Sequence, residues 1–473
     1  MFKRSLATIL LLSTLVLTGL GCSSTPAVPA SALQPITLQY WGVFTDTDDM
    51  AILVNDFQKN HPNITIQYRK FRPDEYEQKL LQAFADDRAP DLFSIQNSWL
   101  PKYKSKLTPM PAKLTYPVLV TTGSGYQQKT TAELQSKAGL TLKDMRTQFV
   151  QTVEADTMDF ATATSTQKSI FALPFYVDTL ALYYNKDILA QNGIVKPAAD
   201  WNELRVQAEK LSKRIANTDT ITQSAVAIGT GVHVHRASDI LISLMSQNGA
   251  QISGNNGVLT INGPGNVKIA KGDELPAARA LRFYLDFSNP NTKAYSWTPD
   301  FGDSLDAFTH GRVAYYFGYS YDMPSIRAQN PRLNFDVTAM PQFEKPSNIA
   351  NYWMEGVTTK SKNKDAAWLF ILETATNKDS LAKYLRSTHR VAALNDLIQT
   401  ELDDIDLGVF AKQNLTARSW YHGTDSGAAD KIISDLIDQV RAKLLSGDLQ
   451  PQDEAGYIQN AINIATQRLN NTL

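Results

Sequence analysis

Between residues 36 and 95 the hydrophobic period switches back and forth between two and about 3.6, and this alternation constrains the fold more than any other feature of the chain. Ile36-Thr37-Leu38-Gln39-Tyr40-Trp41 alternates as a half-buried strand. Residues 48–60 carry Met50, Leu53, Val54 and Phe57 at the spacing of one helix face. Ile64-Thr65-Ile66-Gln67-Tyr68 is a second strand, and residues 76–86 form a second helix with Leu80, Leu81 and Phe84 on its apolar side. A turn at Ala89-Pro90-Asp91 leads into an apolar third strand, Leu92-Phe93-Ser94-Ile95. Strand, helix, strand, helix and strand within about 60 residues is the pattern of a parallel, doubly wound sheet. Ligands of such sheets bind beyond the carboxyl ends of the strands. Here those ends are Trp41-Gly42-Val43-Phe44-Thr45 and Gln96-Asn97-Ser98-Trp99.

The alternation resumes with a strand over 180–184, a helix over 201–215 with Asp200 as N-cap, a strand over 224–229 and a helix over 239–247. From Ala366 onward the chain reads as mostly helical. Residues 115–150, with a helical segment near 142–153, read as an elaboration of the first unit. A length of 473 residues exceeds one ordinary core, so two or three domains are expected. The 46 basic and 47 acidic residues leave a formal net charge of −1, which argues against a nucleic-acid partner, since phosphate backbones call for a basic excess or patch. A single cysteine excludes an intramolecular disulfide and any Cys-based zinc or iron–sulfur site.

That cysteine sits at the end of a leader. Lys3 and Arg4 precede an uncharged, mostly apolar run from Leu6 to Leu17, which is shorter than the roughly 20 residues a spanning helix needs. The run ends in Thr18-Gly19-Leu20-Gly21-Cys22 and resembles a bacterial lipoprotein signal, in which Cys22 becomes the acylated N-terminus. Gly19 stands where such signals usually carry Leu, and an ordinary secretory signal or a short anchor helix is the alternative. Residues 1–21 are then signal and 22–35 a lipidated Cys with a Ser-, Pro- and Ala-rich tether that holds the folded body just outside a membrane.

The stretch Leu173-Pro174-Phe175-Tyr176-Val177-Asp178, continued by Tyr183-Tyr184-Asn185-Lys186-Asp187, resembles the family 1 extracellular solute-binding proteins, the maltose-binding-protein-like receptors of ABC importers. Further similarities follow in order at Pro90-Asp91-Leu92-Phe93, Pro197 with Trp201-Asn202-Glu203-Leu204, Phe308-Thr309-His310-Gly311-Arg312-Val313-Ala314, Ser361-Lys362-Asn363-Lys364 and residues 447–461. The resemblance implies an α/β, two-lobed periplasmic-binding-protein fold of type II, each lobe a mixed sheet flanked by helices, with the ligand cleft between them. The first lobe would hold 36–175 plus 357–400 and the second 178–350 plus 401–473, with crossovers near 173–178 and 350–356. It also implies a monomeric receptor, without cofactor or catalysis, that delivers a solute to ABC transporter permease subunits.

A cleft for a polar solute needs flat apolar faces and a few fixed polar groups. Trp41, Phe44 and Thr45 end the first strand, and each aromatic is either core or cleft wall. Asn97, Ser98 and Trp99 end the third strand in a loop context. The resemblance turns Asp178 toward the ligand and gives Tyr321, with Tyr319, a stacking role. Alternation over 315–321 groups Tyr315, Phe317, Tyr319 and Tyr321 on one face of an extended segment. Trp353 and Glu355 share a face opposite Tyr352 and Met354, so one pair faces the cleft. Trp420 lies in a polar loop where the family often adds an aromatic. Asp239 serves either the ligand or the start of its own helix.

Stacking aromatics suit sugar rings, so a sugar or oligosaccharide is the expected solute. Acidic groups at Asp178 and Glu355 would instead suit a polyamine, and the same fold also carries peptides and metal chelates. A secreted glycan hydrolase or an adhesion lipoprotein is the alternative from another class. His233-Val234-His235 lacks a third ligand at metal spacing, no phosphate-binding loop occurs, and Gly123-Ser124-Gly125 is too short for a nucleophile elbow.

Overall fold

The structure, a computed structural model, describes residues 35–473 apart from Gln128, Asn255, Asn256, Glu344 and Lys345. The leader, Cys22 and the tether up to residue 34 lie outside the described residues. Residues 115–136 form a unit of their own, within a two-stranded sheet of Lys113–Thr122 and Lys129–Ala138. The remainder of the described chain is a second, much larger unit.

The larger unit holds two five-stranded sheets. The first runs Ile64–Lys70, Ile36–Gly42, Leu92–Gln96, Trp353–Val357, Ala172–Leu173. Its first three strands are parallel, as the period alternation requires, and the helices Thr47–Asn60 and Pro73–Ala85 make the connections. Trp353–Val357 enters antiparallel beside Leu92–Gln96, with Trp353 opposite Gln96 and Val357 opposite Leu92. The second sheet runs Lys213–Arg214, Ile221–Val226, Val313–Gly318, Ala181–Asn185, Phe335–Thr338 and is also mixed. The chain passes from the first sheet to the second over 174–180 and returns over 339–352. It leaves again near 401. The helix Gly408–Asn414 brings Phe410 against Tyr183 of the second sheet, and the helices Ser426–Leu445 and Pro451–Asn470 pack on each other and on Pro276–Asp286.

Three local expectations are corrected. The helix expected over 201–215 stops at Leu211, because residues 213–214 turn back to pair with 221–223, and the Gln223 side chain caps the Leu211 carbonyl. The segment near 142–153 is two helices, Leu142–Gln148 and Gln151–Thr157. Phe149 and Val150 between them are extended and buried, bridging to Leu394 and Ala393. The extended run over 315–321 ends at Gly318. A Cβ at Gly318 would lie 2.7 Å from the Asp322 carboxylate, and that carboxylate receives the Tyr319 N–H and the Tyr316 hydroxyl as the chain turns. Tyr315 and Phe317 therefore face the helix Trp201–Leu211, whereas Tyr319 and Tyr321 belong to the turn that follows.

Asp200 caps the helix Trp201–Leu211 through the Glu203 N–H, and Trp201 is fully buried against Phe317 with its indole N–H on Gln247. Trp201→Ala should lower stability by about 3–5 kcal/mol in urea unfolding, and a loss below about 1 kcal/mol would contradict this reading of the second core.

Candidate functional site

The topology of the first sheet decides what meets at its ligand edge. Parallel strands bring the ends of Ile36–Gly42 and Leu92–Gln96 to one side, and the antiparallel Trp353–Val357 begins on that same side. Three aromatics therefore form a row. Phe44, 44% exposed, stands edge-on to Trp353 with ring centres 5.7 Å apart. Trp353 meets Trp99 at 5.2 Å and Tyr76 at 5.8 Å, and Trp99 stacks on Tyr103 at 5.5 Å. Trp41 lies beside this row on Phe71, with Arg69 over its ring.

The second sheet's side contributes polar groups. Asp239 is 1% exposed and accepts from the Tyr319 hydroxyl (2.7 Å), Arg236 Nε (2.9 Å), Trp420 Nε1 (3.1 Å) and Asn351 Nδ2 (3.2 Å). Arg236 also pairs with Asp430 at 2.8 Å, and Asp430 accepts from Ser238. Asp239 is thus not the N-cap of its helix, Ala237–Gln247. Arg236 holds that position in a left-handed conformation, which leaves the Asp239 carboxylate to collect the four donors.

The two sides touch directly. Trp99 Nε1 donates to Ser426 Oγ (2.8 Å), Ser426 donates to Gln96 (3.1 Å), and Asn97 Nδ2 donates to Ser419 Oγ (2.6 Å). Gln96, Asn97, Ser98, Arg236, Trp420 and Asp430 line the narrow pocket at this junction.

Of the remaining candidates, Thr45, Glu355 and Asp178 are buried, as Asn97 and Ser98 also are, and Tyr321 is half-buried. Thr45 is buried, its hydroxyl 2.8 Å from that of Tyr384. Glu355 lies on the same strand face as Trp353 but is buried, receiving the Ser94 hydroxyl at 2.7 Å. Burial pushes the Glu355 carboxyl up to about 7, against the opposing hydrogen bonds of Ser94 and Tyr40. Asp178 is buried in the first passage between sheets and paired with Arg390, whose guanidinium lies 4.0 Å from the Tyr176 ring centre and 4.6 Å from that of Tyr321. Tyr321 in turn stacks on Tyr319 at 5.2 Å. Burial raises Asp178 to about 6, with Arg390 opposing.

Sequence reasoning missed Gln96, Asn351, Ser426, Arg236, Asp430 and Arg390. Gln96 begins a quoted strand end and could have been included. The Arg236–Asp430 and Arg390–Asp178 pairs are separated by 194 and 212 residues, and no local pattern links them.

Comparison with known proteins decides the family. Residues 53–405 match the model of the bacterial extracellular solute-binding proteins. The chain belongs to that family. Its members are binding proteins that work outside the cytoplasm, and no helix among the described residues is long and apolar enough to cross a membrane. In sequence this member is similar to a protein of Brucella abortus (strain 2308) named as a binding protein, 26% identical over 46% of this chain and 49% of that one. It is also 25% identical to the galactooligosaccharide-binding protein of Bacillus subtilis (strain 168), over 49% of this chain and 51% of that one. The chain spans about half the length of these relatives. Among solved structures, the cyclic α-maltosyl-1,6-maltose binding protein of Arthrobacter globiformis superposes with a TM-score of 0.66 at 15% identity, over 92% of this chain and 99% of that one. The solute-binding protein thus has the fold of a two-domain periplasmic binding protein.

Glu355 makes the protein's stability depend on pH. Its folded pKa lies above the unfolded value, so its contribution is present in acid and is lost as pH rises from about 4.3 through about 7. Glu355→Gln should therefore remove a loss of about 3 kcal/mol between pH 4 and pH 8 in denaturant titrations. Parallel pH profiles for the two proteins would contradict the buried, raised carboxyl.

Proposed function

We propose that this protein is the capture subunit of an ABC importer for a carbohydrate, a sugar or short oligosaccharide. One observation carries the reading: the aromatic row Phe44, Trp353 and Trp99 reaches, through the Trp99–Ser426 hydrogen bond, a pocket lined by the polar groups Gln96, Asn97, Arg236 and Asp430. Flat rings suit the apolar faces of pyranoses at little entropic cost, and charge-assisted hydrogen bonds suit their hydroxyls. The charge state of the site also favours a neutral solute over a polyamine. Asp178 is paired with Arg390, and Asp239 and Asp430 share Arg236.

The first lobe comprises 36–175 plus 357–400 and the second 178–350 plus 401–473, with crossovers near 173–178 and 350–356. Trp41, Phe44, Asn97, Ser98, Trp99, Trp353 and Trp420 form the contact surface. The buried Asp178, Asp239 and Tyr319 order it from beneath, half-buried Tyr321 borders it, and Thr45 and Glu355 support the aromatic wall. A solute that touches both lobes favours the closed arrangement by its differential affinity, and about 5.5 kcal/mol suffices to take the equilibrium from mostly open to mostly closed. The permease then reads the closed form. The body works as a monomer, tethered by residues 22–35 and anchored to the membrane by lipid on Cys22. Mass spectrometry of the mature N-terminus should find modified Cys22, and a start elsewhere would contradict the anchor.

A thermal-shift screen over neutral sugars, peptides and polyamines should give saturable stabilisation by sugars. Trp353→Ala and Trp99→Ala should each weaken that binding by about tenfold or more. Stabilisation by polyamines alone, or unchanged sugar affinity in both variants, would overturn the reading.

A further inference from the structure

We propose that Asp156 and His422 are positioning residues of the sugar site: the pair clamps the two chain segments that carry pocket residues, and proton uptake on His422 couples sugar affinity to pH. This rests on the carbohydrate reading and deepens it.

Asp156 lies on the helix Gln151–Thr157, and its side chain is fully buried. Its Oδ2 accepts from the Ser419 and Tyr352 hydroxyls, each at 2.5 Å, and from Thr152 at 3.2 Å. Its Oδ1 lies 2.7 Å from His422 Nε2. Outside its own helix, the donors come from two segments. Tyr352 stands between Asn351, which lines the pocket, and Trp353 of the aromatic row. Ser419 and His422 flank Trp420 and Tyr421, which line the pocket as well. A single carboxylate thus fixes both segments. It also orients a pocket amide. The Ser419 hydroxyl directs its one hydrogen at Asp156 and accepts from Asn97 Nδ2 at 2.6 Å, which turns the Asn97 NH2 group toward Ser419.

Among the described residues no lysine or arginine pairs with Asp156, so the charge that balances it is that of protonated His422. The His422 side chain is 41% exposed, and its proton exchanges with solvent while the carboxylate stays buried. Partial burial disfavours the imidazolium, but the hydrogen bond and the charge of Asp156 outweigh it and hold His422 above the usual histidine range; Lys168, on the strand Lys168–Ile170, opposes. The contribution of the charged pair is therefore complete below about pH 6.5 and is lost as pH rises through the folded value. Neutral His422 keeps a hydrogen bond to Asp156 and loses the charge. A bound sugar and the charged pair hold residues 419–422 in the same place, so each favours the other: protonation tightens binding, and binding takes up protons.

The test is calorimetric titration with maltotriose, galactotriose and cellotriose from about pH 6 to about pH 9, on the wild type and on His422→Gln, which keeps a donor for Asp156 and carries no proton to lose. Wild-type affinity for a sugar that binds should fall by about threefold or more across this range, and the His422→Gln profile should be flatter by the same factor. In buffers of different protonation enthalpy the wild type should take up protons on binding near neutral pH, and His422→Gln should take up fewer, a readout that a merely structural role would not move. Glu355 and Asp178, raised to about 7 and about 6, are common to both proteins, so the difference between the profiles belongs to His422. Asp156→Asn, of the same shape, should weaken binding by about tenfold and lose the pH slope; if thermal unfolding shows that it does not fold, His422→Gln alone decides. A flat wild-type profile, a His422→Gln profile parallel to it, or unchanged affinity in folded Asp156→Asn would overturn the assignment and leave the carbohydrate reading standing. No binding of any of the three sugars by the wild type would overturn that reading and this inference with it.

Discussion

The structure depends on one strand pairing. Trp353–Val357 inserts antiparallel between Leu92–Gln96 and Ala172–Leu173, after the chain has built the entire second sheet. Closing so long a loop is entropically costly, and the burial that offsets it is extensive: Met354, Glu355, Gly356 and Val357 are all buried. The same pairing sets Trp353 opposite Gln96, three residues before Trp99, and so builds the aromatic wall. It also means that the second sheet's segment is held at both ends by the first sheet.

A second constraint is the management of buried charge. Three acids between the two sheets are matched by cations, Asp178 by distant Arg390 and Asp239 with Asp430 by Arg236. Among the described residues no cation pairs with Glu355, and burial holds it nearer neutrality. Removing one partner of a buried pair strands the other, at a cost of about 3–5 kcal/mol, so these pairs resist independent substitution. A nearby network follows the same rule. Asp156, fully buried in the helix Gln151–Thr157, accepts from Ser419, Tyr352 and His422, which gathers the return passage and the C-terminal segment onto the first-sheet side.

What the sequence revealed follows the range of the forces involved. The strands and helices of residues 36–96 were legible because the period of burial is a local property, and Met50, Leu53, Val54 and Phe57 are the residues buried. Asp200 was legible as a cap for the same reason. The break at Phe149-Val150 was not, because it is bought by bridges to Ala393 and Leu394 far along the chain. Phe44, Trp99 and Trp353 could be nominated one at a time, but not as neighbours. Asp178 and Asp239 stood out as acids, yet the sequence could not say that each already has an arginine. Asp239 was ambiguous between cap and ligand because Arg236, in an unusual conformation for a non-glycine residue, takes the capping position itself.

The central claim is that a solute is held between two lobes that close on it. Small-angle X-ray scattering on the purified protein, with and without a saturating sugar taken from the thermal-shift screen, tests it most directly. The account predicts a radius of gyration that falls on binding, and a fall that is lost in Trp99→Ala at the same sugar concentration. An unchanged radius with the sugar demonstrably bound would contradict it.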